Sequence, residues 1–83
     1  PQVMVDIDAA RLAQAGIAVT AVADALRTAG ADLPPGAVQS GGSRFNVKTD
    51  GAFRSLDEVR DVPVRAVDGR VVRVADVASV SWK

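Results

Sequence analysis

The sequence predicts an α+β fold: a small mixed β-sheet with two consecutive helices and one short helix packed on one side. Three observations predict it. A near-alternating apolar run opens the chain, two alanine-rich stretches with glycine stops follow, and the second half is valine-rich and cut by Asp-Gly turns. The 83 residues are 48% hydrophobic and 24% charged, which suits one core and leaves no length for a second domain. With two Phe, one Trp and no Tyr, that core must rest on Val, Ala, Leu and Ile.

Val3, Met4, Val5, Asp6 and Ile7 alternate imperfectly and read as a strand. Asp8 then stands where an N-cap belongs, its carboxylate able to accept an orphan N–H from a helix over 9–15. Leu12 and Ala15 share a face of that helix, and Gly16 stops it where a left-handed backbone costs glycine little. Thr20 is the expected cap of a second helix over 21–29. Its Val22, Ala25, Leu26 and Ala29 form one apolar stripe, and Gly30 closes it. Pro34, Pro35 and Gly36 then break the chain firmly.

Residues 36–49 read as a hairpin bent at Gly41 and Gly42, its second strand carrying Phe45 and Val47 on one face. Asp50 and Gly51 turn the chain again. Ser55 and Glu58 have capping-box spacing, so a short helix should start there and anchor itself through Leu56 and Val59. Residues 62–67 and 70–74 flank Asp68-Gly69, the pairing expected of a two-residue type I′ hairpin. Residues 75–78 bend the chain into a last strand over 79–82.

Charge and composition remove whole classes of function. Ten basic and ten acidic residues cancel, so nothing draws the chain to nucleic acid or anionic lipid at long range. Without His or Cys, the usual general base, the commonest metal ligand and the thiolate nucleophile are all missing. Asp6 with Asp8, or Asp57, Glu58 and Asp61, could hold a cation. Yet Asp8 is explained by capping, Asp6 as a solvated strand residue, and the second group is neutralised by Arg54, Arg60 and Arg65 nearby. Ser40 to Ser43 is glycine-rich but lacks the Lys-Ser/Thr ending of a phosphate loop, and Lys48 has no argued partnership with Ser43. Trp82 can serve either a partner surface or the domain's own edge. No catalytic residue, cofactor or metal is expected.

Residues 11–26 also have the outline of a helix-turn-helix, with Ala15, Gly16, Ile17, Thr20, Val22 and Leu26 matching its packing skeleton. That is the alternative reading: a DNA-binding module over Arg11 to Leu26. A recognition helix, however, needs donors for phosphates and base edges. Here the corresponding positions hold Ala18, Val19, Ala21 and Ala23, and Asp24 would repel the backbone. A stand-alone ligand-binding domain is a third reading, for which no convergent polar groups are apparent.

Several pieces in order resemble the docking subdomain of the resistance-nodulation-division efflux pumps, the acriflavine-resistance type. They are Val5 to Asp8, Arg11 to Ala13, Gly16 and Ile17, Val22 to Arg27, Leu33 to Gly36, Phe53 to Val59, and Asp68 to Ala78 with Val80. The run from Val72 to Ala78 is more similar to the N-terminal of that family's two docking copies. The resemblance implies that residues 1–83 are a single periplasmic docking subdomain excised from a larger inner-membrane transporter. It implies a homotrimer whose partners are neighbouring protomers, an outer-membrane channel and a periplasmic adaptor, with no membrane insertion by this segment.

In the family an arm between the second helix and the next strand inserts into the neighbouring protomer. Here residues 31–44 occupy that place, with Leu33, Pro34, Pro35, Gly36, Gln39, Gly41, Gly42 and Arg44 as the expected contacts. The segment is shorter than in some relatives.

Overall fold

The computed structural model describes residues 2–33, 44–48 and 53–82. Strand β1 (Gln2–Ile7) leads into α1 (Ala9–Ala15) and α2 (Val19–Thr28), then β2 (Arg44–Lys48) and α3 (Leu56–Arg60). The hairpin strands β3 (Pro63–Arg65) and β4 (Val71–Arg73) follow, then α4 (Val74–Val77) and β5 (Ala78–Trp82). The expected α+β class holds, and among the described residues the predicted order of elements gains α4.

The single mixed sheet is corrected. All the strand pairs described are antiparallel and form two sheets, β2-β1-β5 and β3-β4. The reason lies in α4. One helical turn separates β4 from β5, its Asp76 carboxylate accepting the Arg73 N–H at 2.9 Å, so the hairpin leaves the main sheet instead of extending it. In the sequence, residues 75–78 read as a bend and do not announce this turn.

Val3, Val5 and Ile7 point inward from β1, while Met4 and Asp6 stay half-buried, as a period of two requires. They pack with Val80 of β5 and Val47 of β2 against Leu12, Ile17, Val22 and Leu26 of the helical layer. Val59, Val64, Val74 and Val77 complete the core from the second half. Backbone bonds between Asp32 and Lys48, at 2.9 and 3.0 Å, cover one end of the outer edge of β2. Arg60 does the same for β5, its guanidinium donating to the Val80 carbonyl at 3.1 Å.

Asp8 caps α1 as expected, its Oδ1 accepting from the N–H groups of Ala10 and Arg11. At the other end Gly16 has φ 68, Gly16 N–H reaches Ala13 and Ile17 N–H reaches Leu12. Ile17 and Leu12 are both buried, giving this stop the apolar contact of a Schellman motif. The second helix repeats the device. Gly30 N–H bonds Arg27 and Ala31 N–H bonds Leu26, with Gly30 at φ 105.

Its start differs from expectation: α2 begins at Val19 and Ala18 is the N-cap, with no side-chain bond. Thr20 therefore lies inside the first turn, where its hydroxyl cannot cap. The capping box of α3 is also shifted. Ser55 Oγ accepts from Glu58 N–H at 3.3 Å, but Glu58 returns to the N–H of Arg54 rather than to Ser55. The hairpin bend at Gly41 and Gly42, the turn at Asp50 and Gly51, and the Phe45 side chain lie outside the described residues.

Candidate interaction surface

The β3–β4 hairpin stands on the core by one side only. Val64 is fully buried and Val72 half-buried, whereas Pro63, Arg65, Val71 and Arg73 face outward. Its turn is not the two-residue type expected from Asp68-Gly69. Gly69 N–H bonds Ala66 O at 3.0 Å and Ala66 N–H bonds Arg70 O at 2.7 Å, enclosing Val67, Asp68 and Gly69. Gly69, at φ 89, then takes the left-handed position of a three-residue loop. The sequence reading missed this because both loop types favour an Asp-Gly pair.

The turn carries Val67, 89% exposed, and Val71 behind it is 59% exposed. With Trp82 at 53%, these are the exposed large hydrophobic residues among those described. Asp68 stiffens the loop, accepting from Arg70 N–H at 3.0 Å and from Arg70 Nε at 2.7 Å. The Arg70 backbone N–H, and after it the Arg70 guanidinium, hold the Asp68 carboxyl below the usual carboxylate range. Beneath the turn, Val67 N–H donates to the Gly16 carbonyl at 3.1 Å, tying the loop to the end of α1.

A shallow groove of about 630 Å³ runs between α2 and β3. Ala21, Ala25, Ala29 and Pro63 supply small apolar walls, with Asp24, Thr28 and Arg65 as polar members. Asp24 is engaged by Arg27 at 3.4 Å, so no pair of reacting groups converges there.

Of the contact residues predicted in 31–44, two are described. Leu33 is buried in the chain's own core, and Arg44 on β2 pairs with Asp6 at 3.0 Å. Leu33 anchors the segment in the core, while Arg44 stays exposed on β2. Pro34, Pro35, Gly36, Gln39, Gly41 and Gly42 lie outside the described residues.

Comparison with known proteins agrees with the order of motifs. A model of the AcrB/AcrD/AcrF family matches residues 1–83. The chain belongs to this family. It is 32% identical over 81 residues to multidrug resistance protein MdtC of Edwardsiella ictaluri, covering 98% of the chain. The MdtC proteins of Pantoea ananatis and Klebsiella pneumoniae are each 31% identical, over 96% and 98% of the chain. The chain spans 8% of the length of each of these relatives.

Family membership leaves the helix-turn-helix alternative without support, and the geometry explains why it was tempting. Helices α1 and α2 meet at 89°, close to the angle of that motif. The bend serves packing: Leu12, Ile17, Val22 and Leu26 are all turned into the core. On the outside, Asp24 faces Arg27, and the one cation within residues 11–26, Arg11, pairs with Asp8 rather than standing free for a phosphate backbone. No single described helix is long and apolar enough to cross a membrane.

The carboxylates singled out earlier are occupied locally. Asp57 pairs with Arg60 at 2.9 Å and Asp61 with Arg73 at 3.3 Å. Among the described residues no three metal-ligating side chains converge. What sequence reasoning missed is Val67. A valine inside a turn was the available signal, since β-branched residues have no local reason to sit there.

Proposed function

We propose that this chain is a non-catalytic docking and assembly module of a proton-driven trimeric efflux transporter. In this reading it is the N-terminal docking copy, in the periplasmic portion of an inner-membrane protein. Its surfaces meet neighbouring protomers and an outer-membrane channel or periplasmic adaptor, and chemistry and proton relay belong to other parts of the transporter. The observation that carries the reading is the hairpin turn: its backbone is tied down at both ends, yet it presents Val67 almost wholly to solvent. Apolar side chains concentrated on a stiff projection suit an apolar patch of another protein, because little order is lost on binding.

Segment 31–44 remains the second contact of the proposal. Leu33, buried in the core, and Arg44, paired with Asp6, fix the chain on either side of residues 34–43. The test uses the complete transporter. Val67→Asp puts a charge where an apolar contact is needed and should lower drug efflux several-fold while the domain melts normally. Replacing residues 39–43 by a two-residue turn should likewise weaken trimer assembly without unfolding the domain, since loop shortening changes closure entropy by about 1 kcal/mol or less. Normal efflux and normal trimers in both variants would refute the docking role.

A further inference from the structure

We propose that the β3–β4 turn and the α1–α2 elbow act as one coupled unit, joined by the hydrogen bond from Val67 N–H to the Gly16 carbonyl. The bond, 3.1 Å long, links two groups that their own elements leave over. In the turn, Ala66 and Gly69 N–H groups are consumed by Arg70 and Ala66 carbonyls, and the Val67 N–H takes no part in these bonds. At the elbow, Gly16 and Ile17 N–H groups turn back to Ala13 and Leu12, and the Gly16 carbonyl is the spare acceptor of a helix end.

Buried neighbours hold each side of the bond in place. Ile17 is 7% exposed next to the acceptor, and Ala66 is 4% exposed next to the donor. The Val67 side chain, by contrast, points away into solvent. A partner that engages that side chain therefore loads a backbone fastened to the end of α1 and the entrance of α2. Only the identity of what engages Val67 rests on the docking reading; the coupling itself does not.

Amide exchange in the 83-residue chain tests this, comparing Val67→Pro with Val67→Ala. Position 67 is the first central residue of the turn, where proline is favoured, so the proline removes the donor and keeps the loop. Exchange at Gly16 and Ile17 should quicken by about two- to tenfold in Val67→Pro, the loss of one net hydrogen bond. Ala66 N–H should stay protected, and Val67→Ala should change nothing at the elbow.

Unchanged elbow exchange in a folded Val67→Pro chain, or equal acceleration in Val67→Ala, would overturn the coupling. Should Val67→Pro not fold, the unsubstituted chain decides. A resolved scalar coupling between the Val67 amide nitrogen and the Gly16 carbonyl carbon supports the link. Its absence, when the Gly69–Ala66 bond shows one, refutes it. Val67→Asp in the transporter tests docking separately, so either idea can fail alone.

Discussion

The two sheets of this domain use valine in opposite ways. In β2-β1-β5, Val3, Val5 and Val47 are fully buried and Val80 nearly so, and the sheet edges are covered by Asp32 and Arg60. In the hairpin, Val64 alone is fully buried, while Val71 and Val67 become progressively more exposed toward the turn. Strand propensity accounts for Val71, but not for Val67 inside a loop. The valines of the main sheet thus serve the domain's own core, whereas the hairpin presents valines that folding does not need.

The largest contrast should come from stability. Leu26→Ala, fully buried in the core on α2, should cost about 2–5 kcal/mol by opening a cavity. Val67→Ala should stay within about 0.5 kcal/mol of the parent. Urea melts measure both, and a Val67 effect as large as that of Leu26 would dissolve the distinction. Gly69→Val should fall between them, at about 1–2 kcal/mol, because a β-branched residue resists φ 89. Open space around Gly69 makes that penalty one of backbone strain alone. Ser55→Ala, which removes an exposed cap outside both sheets, should cost about 0.5–1 kcal/mol in the same melts.

The smallest effect concerns pH. Because folding lowers the pKa of Asp68, its contribution is present above the usual carboxylate range and is lost as pH falls through the lowered folded value. The hairpin amides of the parent chain should therefore lose protection in that acid window relative to neutral pH. Asp68→Asn should be insensitive there. A parent hairpin as indifferent to acid as Asp68→Asn would mean that Arg70 does not hold the carboxylate.

Much of this was legible from sequence where one local interaction decides. Asp8 and Gly16 bound α1 because a carboxylate and a left-handed glycine have few other uses at those places. Legibility failed where two local solutions share one residue pattern. Thr20 could cap or enter α2, and the helix starts one residue before it, at Val19. Asp68-Gly69 fits both loop lengths, and the anchoring of Val67 to Gly16, far away in sequence, accompanies the longer one. The mixed sheet failed for a tertiary reason, since no periodicity in 74–77 announces the helical turn that splits it. For the contact surface, the sequence pointed to 31–44, of whose expected contacts Leu33 is buried and Arg44 pairs with Asp6. The apolar turn was overlooked because exposure depends on which side of the hairpin meets the core.

The docking proposal requires that the hairpin turn meet another protein. It is tested most directly by placing a photo-crosslinking residue at position 67 of the complete transporter, with exposed Asp57 on α3 as the control position. A protein–protein adduct is expected from position 67 in the assembled parent protein, and little or none from position 57. A transporter that exports normally and yields no adduct at 67 would contradict it.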